Sequence, residues 1–422
     1  MPRARSLSVI EGSQGSHEQQ PPPSPSLRSL RGLDWFVFCV ADVQTGFGPF
    51  VSVYLTTQKW TQIDIGLILT VAGLVALVGQ IPGGMLVDAA RSERLVAGIA
   101  VATIALSALT YAAFPIFPAI LIAAVAHAGA SCVLGPAMAA ISLGLVGHGR
   151  IGERLGRNAR FASVGNGFAA ALMGACGYFF AARSVFIVTS ILLLPTVLAL
   201  RHIAPHEINP VQAHGGPAAP DRTATPFRAL FRQRSLIMLA CCVGLFHLAN
   251  AAMLPLMGSA LTSRLSDWAT VLIATCIVVP QLVVALIAPW VGRQAQIRGR
   301  RPLLLLGFSA LAIRGLLFAV FTDPAMVVAV QLLDGISAAV LGVMVPLIVA
   351  DITRGTGRFN SSLGVVGMVA GGGAAMSTTL AGAMTDYIGS QFAFFGLGAI
   401  AIVAVAAVLL LIPETRPAGT EG

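Results

Sequence analysis

The sequence predicts an all-α membrane protein, with twelve transmembrane helices arranged as two pseudo-symmetric six-helix bundles. Of the 422 residues, 56% are hydrophobic and only 10% are charged, and the mean hydropathy is +0.84. These values lie outside the range of soluble globular domains. One polar stretch near the middle of the chain separates two long apolar halves, which indicates two bundles joined by a linker.

A transmembrane helix needs about 20 mostly apolar residues, and polar, proline-rich or glycine-rich breaks divide this chain into segments of that length. We place the spans at residues 33–57, 63–88, 93–113, 116–146, 158–182, 183–202, 235–261, 268–291, 302–322, 324–350, 361–386 and 387–412. The resulting domains are a disordered cytoplasmic tail (1–30), an N-terminal bundle (31–202), a cytoplasmic linker (203–234), a C-terminal bundle (235–412) and a second cytoplasmic tail (413–422). The linker is predicted to be solvated because it holds five prolines and few residues that could form a core.

The basic residues predict the orientation in the membrane. Twenty-two of the 26 Lys and Arg residues fall on the side of both termini, three (Lys59, Arg183 and Arg264) fall on the other side, and Arg314 lies within a span. Because basic loops are retained in the cytoplasm, both termini are predicted to be cytoplasmic. A single lysine against 25 arginines, with abundant Ala and Gly, is typical of a GC-rich bacterial genome, so we expect a multi-pass protein of a bacterial inner membrane.

Composition also argues against several classes of function. The net charge of +9 lies in short clusters between apolar segments rather than on one face, so a nucleic-acid partner is not expected. The six cysteines lie within apolar segments without zinc-like spacing, which predicts neither a metal site nor disulfides. Without a Ser/His/Asp set or a phosphate-binding glycine loop, the sequence predicts no enzyme and no cofactor.

The two halves of the chain repeat one another. Three pairs of residues recur between them at offsets of 206, 208 and 210, namely Gln44 and Asn250, Gly84 and Gly292, and Pro136 and Pro346. Three matches at nearly constant offset predict parallel halves of six spans each.

Related motifs occupy the loops after the second and eighth spans. The first copy contains Gly84, Asp88, Arg91 and Arg94. The second copy contains Gly292, Gln296, Gly299, Arg300 and Arg301.

Both copies resemble the signature loop of the major facilitator superfamily of secondary transporters, which reads Gly-x-Leu-x-Asp-Arg-x-Gly-Arg-Arg. With the spans and the basic central loop, the resemblance covers nearly the whole chain. It implies alternating access of two bundles around a midplane cavity. It also implies a cytoplasmic gate formed by the glycine, aspartate and arginine residues of the two loops, in which Asp88 pairs with Arg91 or Arg94. The alternative is that these are ordinary solvated loop charges.

Ionisable and amide side chains inside a span are costly, so each is a candidate residue of the transport pathway. The sequence contains eleven: Asp42, Gln44, Gln80, His127, Asn166, His247, Asn250, Gln281, Arg314, Gln331 and Asp334. Seven of them fall in spans 1, 4, 7 and 10, which the resemblance implies line the cavity. Five are predicted to face it, namely Gln44, His127, His247, Asn250 and Gln331. The two histidines could relay protons or could be packing residues.

Three charged residues are candidates for proton coupling or for a buried ion pair. At 1.5 Å per residue, Arg314 and Asp334 lie at roughly 12 and 15 Å from the outer ends of their spans, which makes an ion pair feasible. This pair could be static, or protonation of Asp334 or substrate binding could release Arg314. Asp42, nearly opposite to Gln44 on its helix, is either a proton site or a buried structural partner.

The resemblance and the intramembrane polar residues together predict a monomeric secondary active transporter whose partners are a small-molecule substrate, protons and membrane lipid. Proton-coupled efflux of an amphipathic drug or metabolite is the first expectation, because the predicted cavity is mostly apolar. Proton-coupled uptake of an organic anion, with Arg314 as the counter-ion, is the alternative. A non-transporting membrane receptor is a third hypothesis, from a different class of function.

Overall fold

The computed structural model describes residues 25–45, 50–216, 225–264, 269–321 and 323–415, and these residues form helices without any strand. The helices are α1 (Leu27–Thr45), α2 (Phe50–Thr57), α3 (Gln62–Val78), α4 (Gln80–Ala89), α5 (Glu93–Ala113), α6 (Phe117–Phe179), α7 (Ala182–Ile191), α8 (Leu193–Arg201), α9 (Pro210–Ala213), α10 (Arg234–Asn250), α11 (Met253–Arg264), α12 (Ala269–Arg298), α13 (Arg301–Val320), α14 (Pro324–Ile352), α15 (Phe359–Ile388) and α16 (Ser390–Leu411). The predicted all-α fold class is therefore confirmed.

Nine helical segments of the described chain are long and apolar enough to cross a membrane, with Ala182–Arg201 (α7 and α8) and Arg234–Ser259 (α10 and the start of α11) each counted as one. The pair α3 and α4, bent by 47°, makes ten if it is counted as one span. α6 has 63 residues and would be about 95 Å long if straight, roughly three times the thickness of the hydrocarbon core. Gly147, with φ of +66°, interrupts its helical backbone, so α6 comprises the predicted fourth and fifth spans. The predicted first span corresponds to α1 and α2, and its residues 46–49 lie outside the described ones.

The two parts of α6 fold back on each other at Gly147. The Asn158 side-chain amide donates a hydrogen bond of 2.7 Å to the Ser142 hydroxyl, whereas a straight helix would hold these residues about 24 Å apart. Glycine suits this reversal because it adopts a positive φ without steric cost. Residues 148–157, which were predicted as a loop, are helical. The break between the predicted fourth and fifth spans is therefore shorter than expected, with the reversal at Gly147 alone, and Arg154 just after it is buried and paired with Asp34.

A buried ionic cluster joins α1 to the second part of α6. Arg154 Nη2 lies 2.6 Å from Asp34 Oδ1, and Arg157 Nη2 lies 2.5 Å from Asp34 Oδ2. The side chains of Asp34 and Arg154 are only 2% and 3% exposed. Arg154 also donates to Asn158, at 2.6 and 2.8 Å. The sequence alone does not distinguish Asp34 and Arg154 from solvated charges, because both lie near the predicted end of a span.

The two halves meet at one end of the bundle through two close helix crossings. Gly84 of α4 lies against the backbone carbonyl of Asn360 at the start of α15, and Gly292 of α12 lies against the carbonyl of Gly152 in α6. A Cβ atom at Gly84 or Gly292 would overlap the facing carbonyl oxygen. Gly292 follows Gly84 by 208 residues, and Asn360 follows Gly152 by the same 208.

A second pair of contacts at the two crossings is also related by an offset of 208 residues. Gly364 lies against the backbone of Gln80 at one crossing, and Gly156 lies against the backbone of Ala288 at the other. These residues are again 208 apart, Gln80 from Ala288 and Gly156 from Gly364. The internal repeat seen in the sequence therefore appears in the packing as two equivalent crossings.

The chain between the halves packs against the same end of the bundle, which we call the linker end. Ile203, Ile208 and Ala213 are all buried, and Ile208 and Ala213 lie close to Gly144 in the first part of α6. The prediction of a solvated linker is wrong for residues 203–216, because these apolar side chains fill the space between the helix ends. Residues 217–224 of the linker lie outside the described chain.

Polar contacts attach this segment to both halves. His214 Nε2 lies 3.1 Å from Glu93 Oε1 in the first half. In the second half, the Phe359 N–H donates to the His214 carbonyl at 3.1 Å, and the Asn360 side-chain amide donates to the Ala213 carbonyl at 3.2 Å. The linker thus joins the halves by tertiary contacts as well as by the covalent chain.

Both ends of the described chain also lie at the linker end. The Ser26 N–H donates to the Glu207 carboxylate at 3.0 Å, and the Arg300 N–H donates to the Glu414 carboxylate at 2.8 Å. This arrangement agrees with an even number of membrane crossings in each half.

A methyl group at the α6–α12 crossing should destabilise the protein. We expect Gly292→Ala to lower the free energy of unfolding by about 1–3 kcal/mol, because the new Cβ forces two backbones apart. Thermal unfolding in detergent measures the effect. Gly149→Ala is the matched control, since a Cβ there meets no atom within 4 Å. An unchanged melting temperature for Gly292→Ala would contradict the close crossing.

Removing the charge of Asp34 should lower the free energy of unfolding more than Gly292→Ala does. Asp34→Asn leaves Arg154 buried without a counter-ion, and breaking a buried pair in this way costs about 3–5 kcal/mol. Arg157→Gln is the comparison, because the Arg157 side chain is 53% exposed and its loss should cost much less. Equal melting temperatures for the two variants would argue against a buried cluster.

Candidate binding site between the two halves

Two adjoining cavities lie near the contact between the halves, one lined by both halves and the other by the C-terminal half. The first, of about 530 Å³, is lined by residues of α1, α4, α6, α12, α14 and α15. The second, of about 380 Å³, is lined by residues of α10, α14 and α15. Ala338, Gly342 and Leu363 line both, so the two volumes are neighbours across one wall. The walls are mostly apolar, which suits a ligand with substantial hydrophobic surface.

The polar groups of the second cavity come from α10 and α14. They are His247 and Asn250 on α10, which lie three residues apart on one helix face, and Asp334 on α14. These three were all predicted site residues. The structure brings them together because α10 and α14 flank the same cavity.

Asp334 forms an ion pair with Arg314. The Arg314 Nη1 atom lies 2.5 Å from Asp334 Oδ1 and donates a second hydrogen bond of 2.6 Å to the Asn250 side-chain carbonyl. The guanidinium also lies 5.3 Å from the centre of the Phe318 ring, within cation–π distance. Residues of α10, α13 and α14 therefore share one charged group.

The two partners of this pair differ in exposure. The Arg314 side chain is 1% exposed, while the Asp334 side chain is 24% exposed and lines the second cavity. Because an unpaired arginine inside the protein would cost several kcal/mol of folding free energy, the buried Arg314 requires an acidic partner. The carboxylate is consequently the partner that a solute or a proton in the cavity can reach.

One predicted cavity residue, Gln331, bonds to a neighbouring helix, and a second, His127, contacts a residue of its own helix. Gln331 is fully buried and donates a hydrogen bond of 3.1 Å to the Cys276 carbonyl of α12, so its amide holds α14 to α12 instead of facing the cavity. That prediction is wrong because helical phase does not say which neighbouring helix a face meets. His127 lies 3.4 Å from Ser131, its neighbour on the same helix face, and neither of the two cavities includes it among its lining residues.

The side chains of Asp42 and Gln44 lie outside the described residues, although their backbone belongs to α1. Their predicted roles, a proton site or structural partner for Asp42 and a cavity position for Gln44, remain predictions.

Four amide side chains line the first cavity: Gln80, Asn158, Asn166 and Gln281. Gln80, Asn166 and Gln281 are among the eleven intramembrane polar residues, but they belong to spans 2, 5 and 8, outside the four spans predicted to line the cavity. Asn158 is the first residue of the predicted fifth span. Their polarity inside a span was the signal that could have identified them.

The structure gives Asp88 different partners from those predicted. Its two carboxylate oxygens accept hydrogen bonds from the backbone N–H and side-chain amide of Asn360 at 3.1 and 2.9 Å, and from the backbone N–H and hydroxyl of Ser361 at 2.7 and 2.5 Å. No ion pair joins Asp88 to Arg91 or Arg94 within the described residues. The first turn of a helix has N–H groups without intrahelical partners, and its dipole favours an anion, so the start of α15 competes with arginine for this carboxylate.

The second copy of the loop has its own partners. Arg300 is 2% exposed and its Nε lies 2.9 Å from Asp351 Oδ2. The backbone N–H groups of Arg300 and Arg301 donate to the Glu414 carboxylate at 2.8 and 3.1 Å. Gly299, with φ of +96°, lies against the same carboxylate. The acidic partners of this loop are distant in sequence, and the motif alone did not identify them.

Comparison with known proteins agrees with this architecture. The sequence profile of the Major Facilitator Superfamily matches residues 35–293 and 239–421. An uncharacterised MFS-type transporter of Mycobacterium tuberculosis (strain H37Rv) is 40% identical over 397 residues, which is 92% of this chain and 94% of the relative. The puromycin resistance protein of Streptomyces alboniger is 28% identical over 128 residues, covering 30% of this chain and 25% of that protein.

Two solved structures share the fold at low sequence identity. The human organic anion transporter superimposes with a TM-score of 0.67 at 14% identity, covering 92% of this chain and all of that one. A proton:xylose symporter bound to 6-bromo-6-deoxy-D-glucose gives 0.67 at 15% identity, covering 92% and 96% of the two chains. With the family profile and the mycobacterial relative spanning almost the whole sequence, the chain belongs to the major facilitator superfamily of membrane transporters.

Proposed function

We propose that this transporter couples the movement of protons to the efflux of an amphipathic drug or metabolite, and that it works in a bacterial inner membrane with both termini in the cytoplasm. One observation carries the proposal. Among the residues that line the two cavities in the described chain, only Asp334 and His247 can change charge, and Asp334 is ion-paired to a buried arginine.

Protonation of Asp334 would change the contacts of Arg314. With a neutral Asp334, the guanidinium keeps its charge and its hydrogen bond to Asn250 of α10, but it loses its counter-ion on α14. Arg314 is then held mainly by Asn250 of α10 and only weakly by α14, so the attachment of α14 to α10 at the cavity wall changes. A proton and a solute that both contact the same carboxylate compete, and such competition couples their fluxes.

The walls of the cavities favour an amphipathic solute over an organic anion. Uptake of an anion would need Arg314 as the counter-ion, yet this side chain is 1% exposed and already bonded to Asp334 and Asn250. Partial similarity to a protein named for puromycin resistance also agrees with efflux of an amphipathic compound.

Neutralising Asp334 should abolish coupling. We expect wild-type protein in liposomes loaded with a pH-sensitive dye to show proton flux on addition of an amphipathic cation, puromycin or ethidium, and none on addition of benzoate. In Asp334→Asn the solute-dependent flux should fall to the background of empty liposomes.

Asp323→Asn is the matched control for this experiment, because Asp323 is an exposed N-cap of the same helix and asparagine also caps helices. Proton flux that persists in Asp334→Asn would move the coupling site to another residue. Binding of a cation without any flux in the wild-type protein would instead support a non-transporting receptor, and flux with benzoate alone would support anion uptake.

The proposal includes a gate at the linker end, where Asp88 holds the start of α15. Asp88→Asn should make this end open more often, because hydrogen bonds to a charged group contribute about 1.5–3 kcal/mol, or roughly ten- to a hundredfold in the opening equilibrium. Hydrogen–deuterium exchange of residues 286–296 in α12 measures this opening at the other crossing, which Asp88 does not touch.

Asp64→Asn is the control for the Asp88 variant, because Asp64 lies in the first turn of α3 and its carboxylate accepts a hydrogen bond from the N-cap residue Thr61 of the same helix. Faster exchange confined to residues 359–364 would reduce Asp88 to a local cap of α15 and contradict a gate.

A further inference from the structure

A third cavity lies beside the α6–α12 crossing, apart from the two central ones. It has a volume of about 490 Å³ and is lined by Glu153, Arg157, Arg160, Phe161, Pro289 and Arg293. We call it the arginine pocket. Its residues come from both halves of the protein, since α6 belongs to the first half and α12 to the second.

The pocket carries excess positive charge. Three arginines face one glutamate, and Arg157 alone among the three has a counter-ion, Asp34. Arg160 and Arg293 form no ion pair and no hydrogen bond through their side chains within the described part of the chain. Like charges brought together without counter-ions repel each other, so this arrangement favours a bound anion.

The helix crossing itself does not require these arginines. At the equivalent α4–α15 crossing, the positions that lie 208 residues away from Arg293, Arg157 and Arg160 are occupied by Met85, Val365 and Met368. Phe161 and Pro289 correspond to Val369 and Ile81. The same backbone packing is therefore achieved with apolar side chains at one crossing and with a basic pocket at the other.

We propose that the arginine pocket binds the phosphate of an anionic phospholipid from the leaflet at the linker end. Arginine presents a planar fork of N–H donors that matches phosphate oxygens. Basic pockets between transmembrane helices at the membrane surface suit anionic headgroups, and Phe161 and Pro289 provide apolar wall for the start of the lipid chains.

Occupation of the pocket favours the closed linker end. Arg157 and Arg160 are held next to Arg293 because Gly152 and Gly156 bring α6 against α12. When the crossing separates, Arg293 moves away from Arg157 and Arg160, and one phosphate can no longer contact all three arginines. A ligand that binds one arrangement more tightly shifts the equilibrium toward that arrangement.

Native mass spectrometry of the detergent-purified full chain, titrated with phosphatidylglycerol, tests the site. Arg160→Gln/Arg293→Gln should weaken lipid binding about tenfold or more, since it removes two of the three guanidinium groups that line the pocket. Arg232→Gln/Arg298→Gln is the matched control, because it removes two exposed arginines at the same end that do not line the pocket. An equal loss of affinity for phosphatidylglycerol in the two double variants would overturn the proposal.

Hydrogen–deuterium exchange in lipid nanodiscs tests the conformational effect on the wild-type protein. Replacing part of the phosphatidylcholine with phosphatidylglycerol should slow exchange in residues 148–158 and 286–296, and this slowing should vanish in Arg160→Gln/Arg293→Gln. Millimolar inorganic phosphate in phosphatidylcholine nanodiscs separates the two possible sources of the anion. Slowing by phosphate alone, or no slowing by phosphatidylglycerol, would overturn the lipid assignment.

Discussion

Backbone contact at two glycine crossings is the constraint on which the linker end of this protein depends. Gly84 and Gly292 bring helices of opposite halves to a distance that no larger residue permits. Because the crossings hold the halves together, Asp88 reaches the first turn of α15, and the arginines of α6 come to lie beside Arg293. The duplicated fold supplies the same crossing twice, and side chains then distinguish the two copies.

A buried positive charge sets the chemistry of the central site. Arg314 is inaccessible and needs an acidic partner in a medium of low dielectric, so Asp334 is held at the cavity wall and Asn250 completes the set of acceptors. The site thereby acquires one reachable carboxylate in mostly apolar surroundings. Under the proposed function, a proton on that carboxylate would change the contacts of Arg314 with α10 and α14.

The central linker is a structural part of the protein as well as a connection. Its described residues contribute buried side chains and join Glu93 of the first half to the start of α15 through His214. Separation of the halves at this end therefore has to break linker contacts in addition to the crossings. The free energy needed to separate the halves at the linker end therefore includes the loss of apolar burial, of backbone hydrogen bonds and of the Asp88 contacts.

The sequence by itself determined the properties that depend on short stretches of chain. Apolar length located the membrane helices, the repeat indicated two equivalent halves, and helix rise placed Arg314 and Asp334 at similar depth. Which helix a given face meets is decided by packing between distant segments, and for that reason Gln331 turned out to bond to α12, Asp88 to α15, and Asp34 to Arg154. A buried charge and a solvated charge look alike in a sequence, because the difference between them is the presence of a partner that only the tertiary structure supplies.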